Sequence, residues 1–74
     1  MDEEVFNMQL RRFLKKVGIQ SQREIDQAVR QSLETGVLTS TEKLHAQVLL
    51  RVPAVGIDMT IEDEIALLWY FILR

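Results

Sequence analysis

The chain has 74 residues, a formal net charge of −2, 47% hydrophobic residues and no cysteine. A chain this short supplies one small core, so we predict a single domain over residues 1–74. Without cysteine, disulfides and thiolate metal sites are excluded and a reducing compartment is favoured, so we expect a cytoplasmic protein. The near-neutral charge gives no global electrostatic case for a nucleic-acid or membrane partner.

The two ends of the sequence lack membrane signals. Residues 1–4 are acidic, whereas a secretory signal begins with basic residues and continues with apolar ones. The longest apolar run, Ile65 to Leu73, has about half of the ~20 residues that span a bilayer. We therefore expect neither a secretory signal nor a transmembrane segment.

An amphipathic segment predicts a first helix over residues 3–17. Its apolar residues recur at the spacing of a helical face laid on a core. They are Phe6, Leu10, Phe13, Leu14 and Val17. Acidic residues begin this segment and four basic residues lie in its last two turns, the order that complements the helix macrodipole. Gly18 supplies a left-handed stop.

A capping box predicts a second helix over residues 21–35. Ser21 and, three residues later, Glu24 satisfy amides that a helix start leaves unpaired. Asp26 and Arg30 are spaced as a surface ion pair, and Gly36 ends the helix. The expected buried face is Ile25, Ala28, Val29, Ser32 and Leu33. A link this short between two helices makes them a hairpin or a steeply crossed pair.

Apolar and polar residues then alternate, which predicts an antiparallel β-hairpin over about 43–52 and 57–73. The predicted fold class is therefore α+β, with two helices packed on a hairpin. The apolar sets share a face only if the loop has an even number of residues. Because proline cannot adopt the positive φ of a two-residue turn, we predict a four-residue loop from Pro53 to a left-handed Gly56. The resulting opposed pairs are Val52 with Ile57, Leu50 with Met59 and Val48 with Ile61.

The tail after Glu64 is apolar on every side at both helical and strand periods. Aromatic and β-branched residues favour strand, whereas Thr60 with Asp63 is typical of a helix cap, so both structures stay open. One small domain lacks the surface to cover such a segment, which favours a homodimer, for example through paired edge strands. The residues assigned to self-association are Leu67, Trp69, Tyr70, Phe71 and Leu73.

Three stretches of the sequence resemble a known family. They are Val5-Phe6-Asn7-Met8, the run from Arg12 to Ile19, and the run from Ser21 to Ile25. The likeness continues through Gly36, Leu38, Leu44 and the strand at 50–52 to Glu64-Ile65. The chain in this respect resembles a family of short, uncharacterised bacterial proteins, a domain of unknown function, up to about residue 66. The resemblance implies a cytoplasmic bacterial domain and supplies no activity, cofactor or catalytic residue.

The polar clusters of the sequence do not indicate a catalytic or metal site. His45, the only histidine, is expected on the outer strand face near Glu62 or Glu64. We interpret it as a surface histidine, because a metal site requires more nitrogen or sulfur ligands. The acidic residues of the second strand lack calcium-loop spacing and are interpreted as a solvated edge. They are Asp58, Glu62, Asp63 and Glu64. With no nucleophile relay and no phosphate loop, we predict no enzyme, cofactor or metal.

We therefore predict a non-enzymatic, homo-oligomeric interaction module. Exposed aromatic residues in the tail are also typical of docking to a different protein or of peripheral membrane attachment. The alternative function is nucleic-acid binding by a helix-turn-helix-like pair, although the acidic total disfavours it. Its candidate residues are Arg11, Arg12, Lys15, Lys16, Arg23, Gln27 and Arg30.

Overall fold

A computed structural model describes residues 1–68 and divides the chain into two units, with the boundary between Leu38 and Thr39. The first unit holds one long helix, α1, Glu3–Glu34. The second holds an antiparallel two-stranded hairpin of β1, Lys43–Val52, and β2, Ile57–Ala66. The α+β class is confirmed, and the single domain stays a prediction.

The helix begins where its sequence provides a cap. Asp2 has an extended backbone, and its Oδ1 accepts hydrogen bonds from the amides of Glu4 at 3.0 Å and Val5 at 3.1 Å. These bonds satisfy two of the four amides that lack a partner within the helix. The carboxylates of Glu3 and Glu4 then lie in the first turn, where negative charge complements the macrodipole.

Gly18 lies inside α1, so the prediction of two helices over 3–17 and 21–35 is wrong. Among the described residues, positive φ occurs only at Gly36 and Gly56. A glycine in a helix interior costs only about 0.5–1 kcal/mol relative to alanine, which a helix of 32 residues tolerates. Glycine alone therefore does not end this helix.

Two other interpretations depended on a break at Gly18 and are also wrong. Ser21 and Glu24 are interior residues of α1 rather than a capping box. The four basic residues from Arg11 to Lys16 lie in the middle of the helix and have no helix C-terminus to complement. Both signals are equally compatible with the exposed surface of one long helix, so they did not decide between one helix and two.

The two predicted apolar faces, without Leu33 and joined by Ser21, form one continuous set along α1, which we call the apolar stripe. Most of its members recur every eleven residues, as in Phe6, Val17 and Ala28. This period corresponds to 3.67 residues per turn, so the set stays on one side of the helix. The apolar stripe consists of Phe6, Leu10, Phe13, Leu14, Val17, Ser21, Ile25, Ala28, Val29 and Ser32. Its unbroken phase across Gly18 was the signal for one helix.

The helix ends at the predicted glycine. Thr35 is the C-cap, with its amide bonded to the carbonyl oxygen of Gln31 at 3.0 Å, and Gly36 follows in the left-handed region at φ 80°. The amide of Leu38 returns to the carbonyl oxygen of Ser32 at 3.1 Å. Backward bonds of this kind satisfy carbonyls that the last turn leaves open.

The hairpin has the predicted loop and register. Pro53–Val55 form a short 3-10 turn, and Gly56 follows at φ 72°. The predicted opposed pairs, Val52 with Ile57, Leu50 with Met59 and Val48 with Ile61, are all present. The expected length is wrong at the end of β2, because the strand stops at Ala66 and bends follow at residues 67 and 68. The part of the prediction over 69–73 lies outside the described residues.

Neither unit contains a buried side chain within residues 1–68. A single helix and a two-stranded sheet are each one layer thick, whereas a hydrophobic core needs two layers that cover each other's apolar faces. The apolar surfaces of α1 and of the hairpin are therefore the features that any functional account has to explain.

Candidate interaction surfaces

The apolar stripe is the largest apolar feature of the helix. Phe6 and Phe13 are each 49% exposed and Leu14 is 52% exposed. Such side chains stabilise a protein by about 1.5–3 kcal/mol each when fully buried, so leaving them open forfeits a large share of the available driving force. The stripe has the position and composition of a contact surface.

Side-chain size is distributed unevenly along the stripe. The first half carries large residues, Phe6, Leu10, Phe13 and Leu14. The second half carries mainly small ones, Ser21, Ala28, Val29 and Ser32, with one larger residue at Ile25. A partner surface that packs against the stripe therefore has small side chains opposite the large ones of the stripe and large side chains opposite the small ones.

The hairpin has one apolar face, the sheet apolar face. It consists of Leu44, Ala46, Val48, Leu50 and Val52 on β1 with Ile57, Met59, Ile61 and Ile65 on β2. Asp63 interrupts this face because it lies directly opposite Ala46. Its Oδ1 accepts a hydrogen bond from the amide of Glu64 at 2.8 Å. A carboxylate at this position needs water or a polar partner, so a purely apolar cover does not fit this end of the face.

The other face of the hairpin is polar, and it holds the one histidine. His45 Nδ1 lies 3.3 Å from Glu64 Oε1, and its Nε2 lies 3.6 Å from Glu62 Oε1. These neighbours are the ones predicted from the sequence. All three side chains are more than half exposed, where ion pairs contribute little to stability. Among the described residues, no group of three or more histidine or acidic side chains is arranged to hold a metal ion.

The charges of the two strands differ in kind. Arg51 Nε lies 3.5 Å from Asp58 Oδ1, and Gln47 Nε2 donates a hydrogen bond to Glu62 Oε2 at 3.4 Å. The segment of β1 from Leu44 to Leu50 has no acidic residue, lysine or arginine, whereas β2 carries four carboxylates. In the part of the chain that the structure describes, the sheet has two strands, so each strand is an edge of it.

The residues proposed for nucleic-acid binding lie on α1, and the helix-turn-helix-like pair that was to present them is absent, because α1 is continuous. A shallow depression on the helix surface is lined by Arg12, Lys15, Lys16, Ile19, Gln20 and Arg23. Arg30 is engaged elsewhere: its Nε donates to the Asp26 carboxylate at 3.0 Å, and this bond raises the pKa of Arg30. The predicted pair of Asp26 and Arg30 is confirmed.

The residues proposed for self-association are mostly beyond the described part of the chain. Leu67 is half-buried and lies in the bend after β2. Trp69, Tyr70, Phe71 and Leu73 lie outside the described residues, so their role stays a prediction. Within residues 1–68, no helix is long and apolar enough to cross a membrane.

Comparison with known proteins gives a family and no activity. No curated protein matches the sequence, and no solved structure matches it. A family model described as a family of unknown function, DUF6494, matches residues 1–68, which include α1 and the whole hairpin. The resemblance found from the sequence is thereby confirmed, and the chain belongs to the DUF6494 family of unknown function.

Proposed function

We propose that this protein is a non-enzymatic interaction module that acts as a homo-oligomer. The observation that carries the proposal is the absence of any buried side chain in residues 1–68, although 47% of the chain is hydrophobic. A helix that keeps its apolar side open and a two-stranded hairpin are marginal in water on their own. Both gain their stability from covering the apolar stripe and the sheet apolar face.

The exposed apolar side chains of each unit support this proposal. In α1, Phe6 and Phe13 are each 49% exposed, and in the hairpin Met59 is 50% and Ile61 54% exposed. Each such side chain stabilises a protein by about 1.5–3 kcal/mol when it is fully buried, so an interface that covers several of them is stable.

The experiment measures the solution mass by size-exclusion chromatography with light scattering over a range of protein concentrations. Leu14→Gln alters the stripe, and Ile19→Gln is the matched control, because Ile19 is 47% exposed on the opposite side of the same helix. Loss of one buried leucine per chain removes about 3–6 kcal/mol from a two-fold dimer, so Leu14→Gln weakens association by at least about 100-fold.

The control keeps the mass of the unaltered protein, since glutamine at position 19 removes no contact along the stripe. A monomer at all concentrations that still unfolds cooperatively overturns the proposal. Equal weakening by both substitutions assigns the effect to the helix as a whole and removes the stripe from the proposal.

A second candidate function is nucleic-acid binding by the basic side of α1. It is supported by the segment from Val5 to Arg23, which carries five basic residues and no acidic one. If duplex DNA or RNA binds there, the logarithm of the affinity falls with the logarithm of the salt concentration, with a slope of about 0.9 for each phosphate contact. Replacing Arg12 and Lys16 by glutamine lowers this slope, whereas Arg30→Gln leaves it unchanged. A binding signal without salt dependence removes this candidate.

A further inference from the structure

We infer that two copies of α1 pack antiparallel through their apolar stripes, with the two-fold axis at the level of Ile19. This inference rests on the proposed self-association and specifies its surface, its partner and its orientation. It is carried by the distribution of side-chain size and of charge along one helix.

Side-chain size favours the antiparallel arrangement. The two-fold axis lies at the level of residue 19. A residue that precedes position 19 by a given number of residues in one helix therefore lies opposite the residue that follows position 19 by the same number in the other helix. The ten members of the stripe give six opposed pairs. Four pairs lie within the stripe: Phe6 with Ser32, Leu10 with Ala28, Phe13 with Ile25, and Val17 with Ser21. The other two join Leu14 to Glu24 and Val29 to Gln9. Three of the four pairs within the stripe join a larger residue to a serine or an alanine, which evens out the distance between the helices, and Phe13 with Ile25 is the exception.

A parallel arrangement fails the same test. It places Phe6 on Phe6 and Phe13 on Phe13 at one end, and Ser21 on Ser21 and Ser32 on Ser32 at the other. Helix axes that are held apart by paired phenylalanines leave gaps between paired serines. Each gap forfeits contacts, because the atoms that line a void have no neighbour on one side.

Charge supports the same orientation. The half of α1 from Val5 to Gly18 carries four basic residues and no acidic one. The half from Gln20 to Glu34 carries three acidic and two basic residues. Antiparallel packing places the basic half of each helix against the slightly acidic half of the other, whereas parallel packing places four positive charges against four. Opposed macrodipoles favour the antiparallel pair as well.

Spin-label distances test the orientation in the full chain. The chain contains no cysteine, so a single cysteine introduced in place of Gln9, Gln20 or Gln31 takes one nitroxide. These glutamines form one eleven-residue row beside the stripe. The antiparallel pair separates the two labels along the axis by about 30 Å at position 9, about 3 Å at position 20 and about 36 Å at position 31, at 1.5 Å per residue. A parallel pair gives short distances at all three positions.

The outcomes separate this inference from the proposal on which it rests. A long, short, long series of distances at the three positions supports the antiparallel pair. A dimeric mass with three short distances overturns the orientation and keeps self-association. A dimeric mass with a long distance at position 20 overturns the inference and assigns the contact to the hairpin or the tail. A monomeric mass with no dipolar signal overturns self-association itself.

Exchange of large and small residues provides an independent test. Phe6→Ser alone weakens association by at least about 100-fold, because two phenylalanine contacts are lost per dimer. Ser32→Phe alone also weakens association, because two phenylalanines then meet. The chain with both substitutions recovers most of the affinity, since the phenylalanine introduced at position 32 then faces the serine introduced at position 6 of the other copy. If both substitutions together weaken association more than either alone, the proposed pairing of positions 6 and 32 is wrong.

Discussion

The backbone amide of Gly56 donates a hydrogen bond to the carbonyl oxygen of Pro53 at 3.1 Å, and this bond closes the hairpin loop. Gly56 adopts φ 72°, and the next residue, Ile57, begins β2 opposite Val52. The loop therefore sets the register of all ten opposed pairs of the sheet.

Gly56→Ala is expected to destabilise the protein by about 1–2 kcal/mol, because a residue with a Cβ is strained in the left-handed region. The space around the glycine is open, so the cost comes from the backbone and not from a clash. Denaturant unfolding at fixed protein concentration measures the change. Gly56→Asn is the control and is expected to cost less, since asparagine tolerates this region. Equal stability of the alanine variant and the unaltered protein contradicts the prediction.

Gly18→Ala is expected to change stability in the opposite direction. Gly18 lies inside α1, and nothing lies within 4 Å of a Cβ added there. Alanine in a helix interior is more stable than glycine by about 0.5–1 kcal/mol, so the helical circular dichroism signal and the midpoint of unfolding both rise. A loss of stability would instead indicate a chain that turns at Gly18, as the two-helix prediction required.

The sequence was sufficient for the loop and register of the hairpin and insufficient for the length of β2 and for the helix. In the hairpin, alternation, the φ restriction of Pro53 and the freedom of Gly56 all demand the same four-residue loop. In the helix, Gly18 and the spacing of Ser21 and Glu24 are compatible with a break and with an uninterrupted helix, because each costs or contributes only about 1 kcal/mol. The eleven-residue phase of the stripe decides between them, since a turn rarely preserves the phase of an apolar face.

The candidate surfaces were also predictable in the hairpin and not in the helix. The neighbours of His45 follow from the strand register and the acidic character of β2 from its sequence, so both were predictable. The tail was expected to be the contact surface because it is the most apolar run of the sequence. The apolar stripe was assigned to an internal core instead, because two short helices were expected to cover each other, and one continuous helix has no such partner within itself.

Loss of the helix N-cap is expected to weaken α1. Asp2→Ala removes the acceptor of the amides of Glu4 and Val5, which costs about 0.5–2 kcal/mol. Thermal unfolding followed by circular dichroism measures the change. Asp2→Asn is the matched control, because asparagine caps helices about as well as aspartate and keeps the stability close to that of the unaltered protein. If both variants lose the same stability, the charge of Asp2 matters and its capping bonds do not.

Removal of the tail after Ala66 separates two sources of association. If the apolar stripe holds the oligomer, the shortened chain keeps the oligomeric state of the full chain, measured by light scattering at the same concentration. If the tail residues Trp69, Tyr70 and Phe71 hold it, the shortened chain is monomeric. A dimer that persists on truncation and dissociates with Leu14→Gln assigns the contact to α1, whereas the reverse result restores the assignment made from the sequence.

The carboxylates of β2 are expected to protect an open sheet edge. Within residues 1–68 the sheet has two strands, so each is an edge strand, and edge strands recruit further strands unless charge prevents it. Glu62→Gln with Glu64→Gln removes two negative charges from β2 and is expected to accelerate aggregation, measured by light scattering during incubation. Glu3→Gln with Glu4→Gln is the control, because it changes the net charge equally but acts at the start of α1. Equal acceleration by both double variants would assign the effect to net charge, whereas acceleration by the β2 variant alone assigns it to the strand edge.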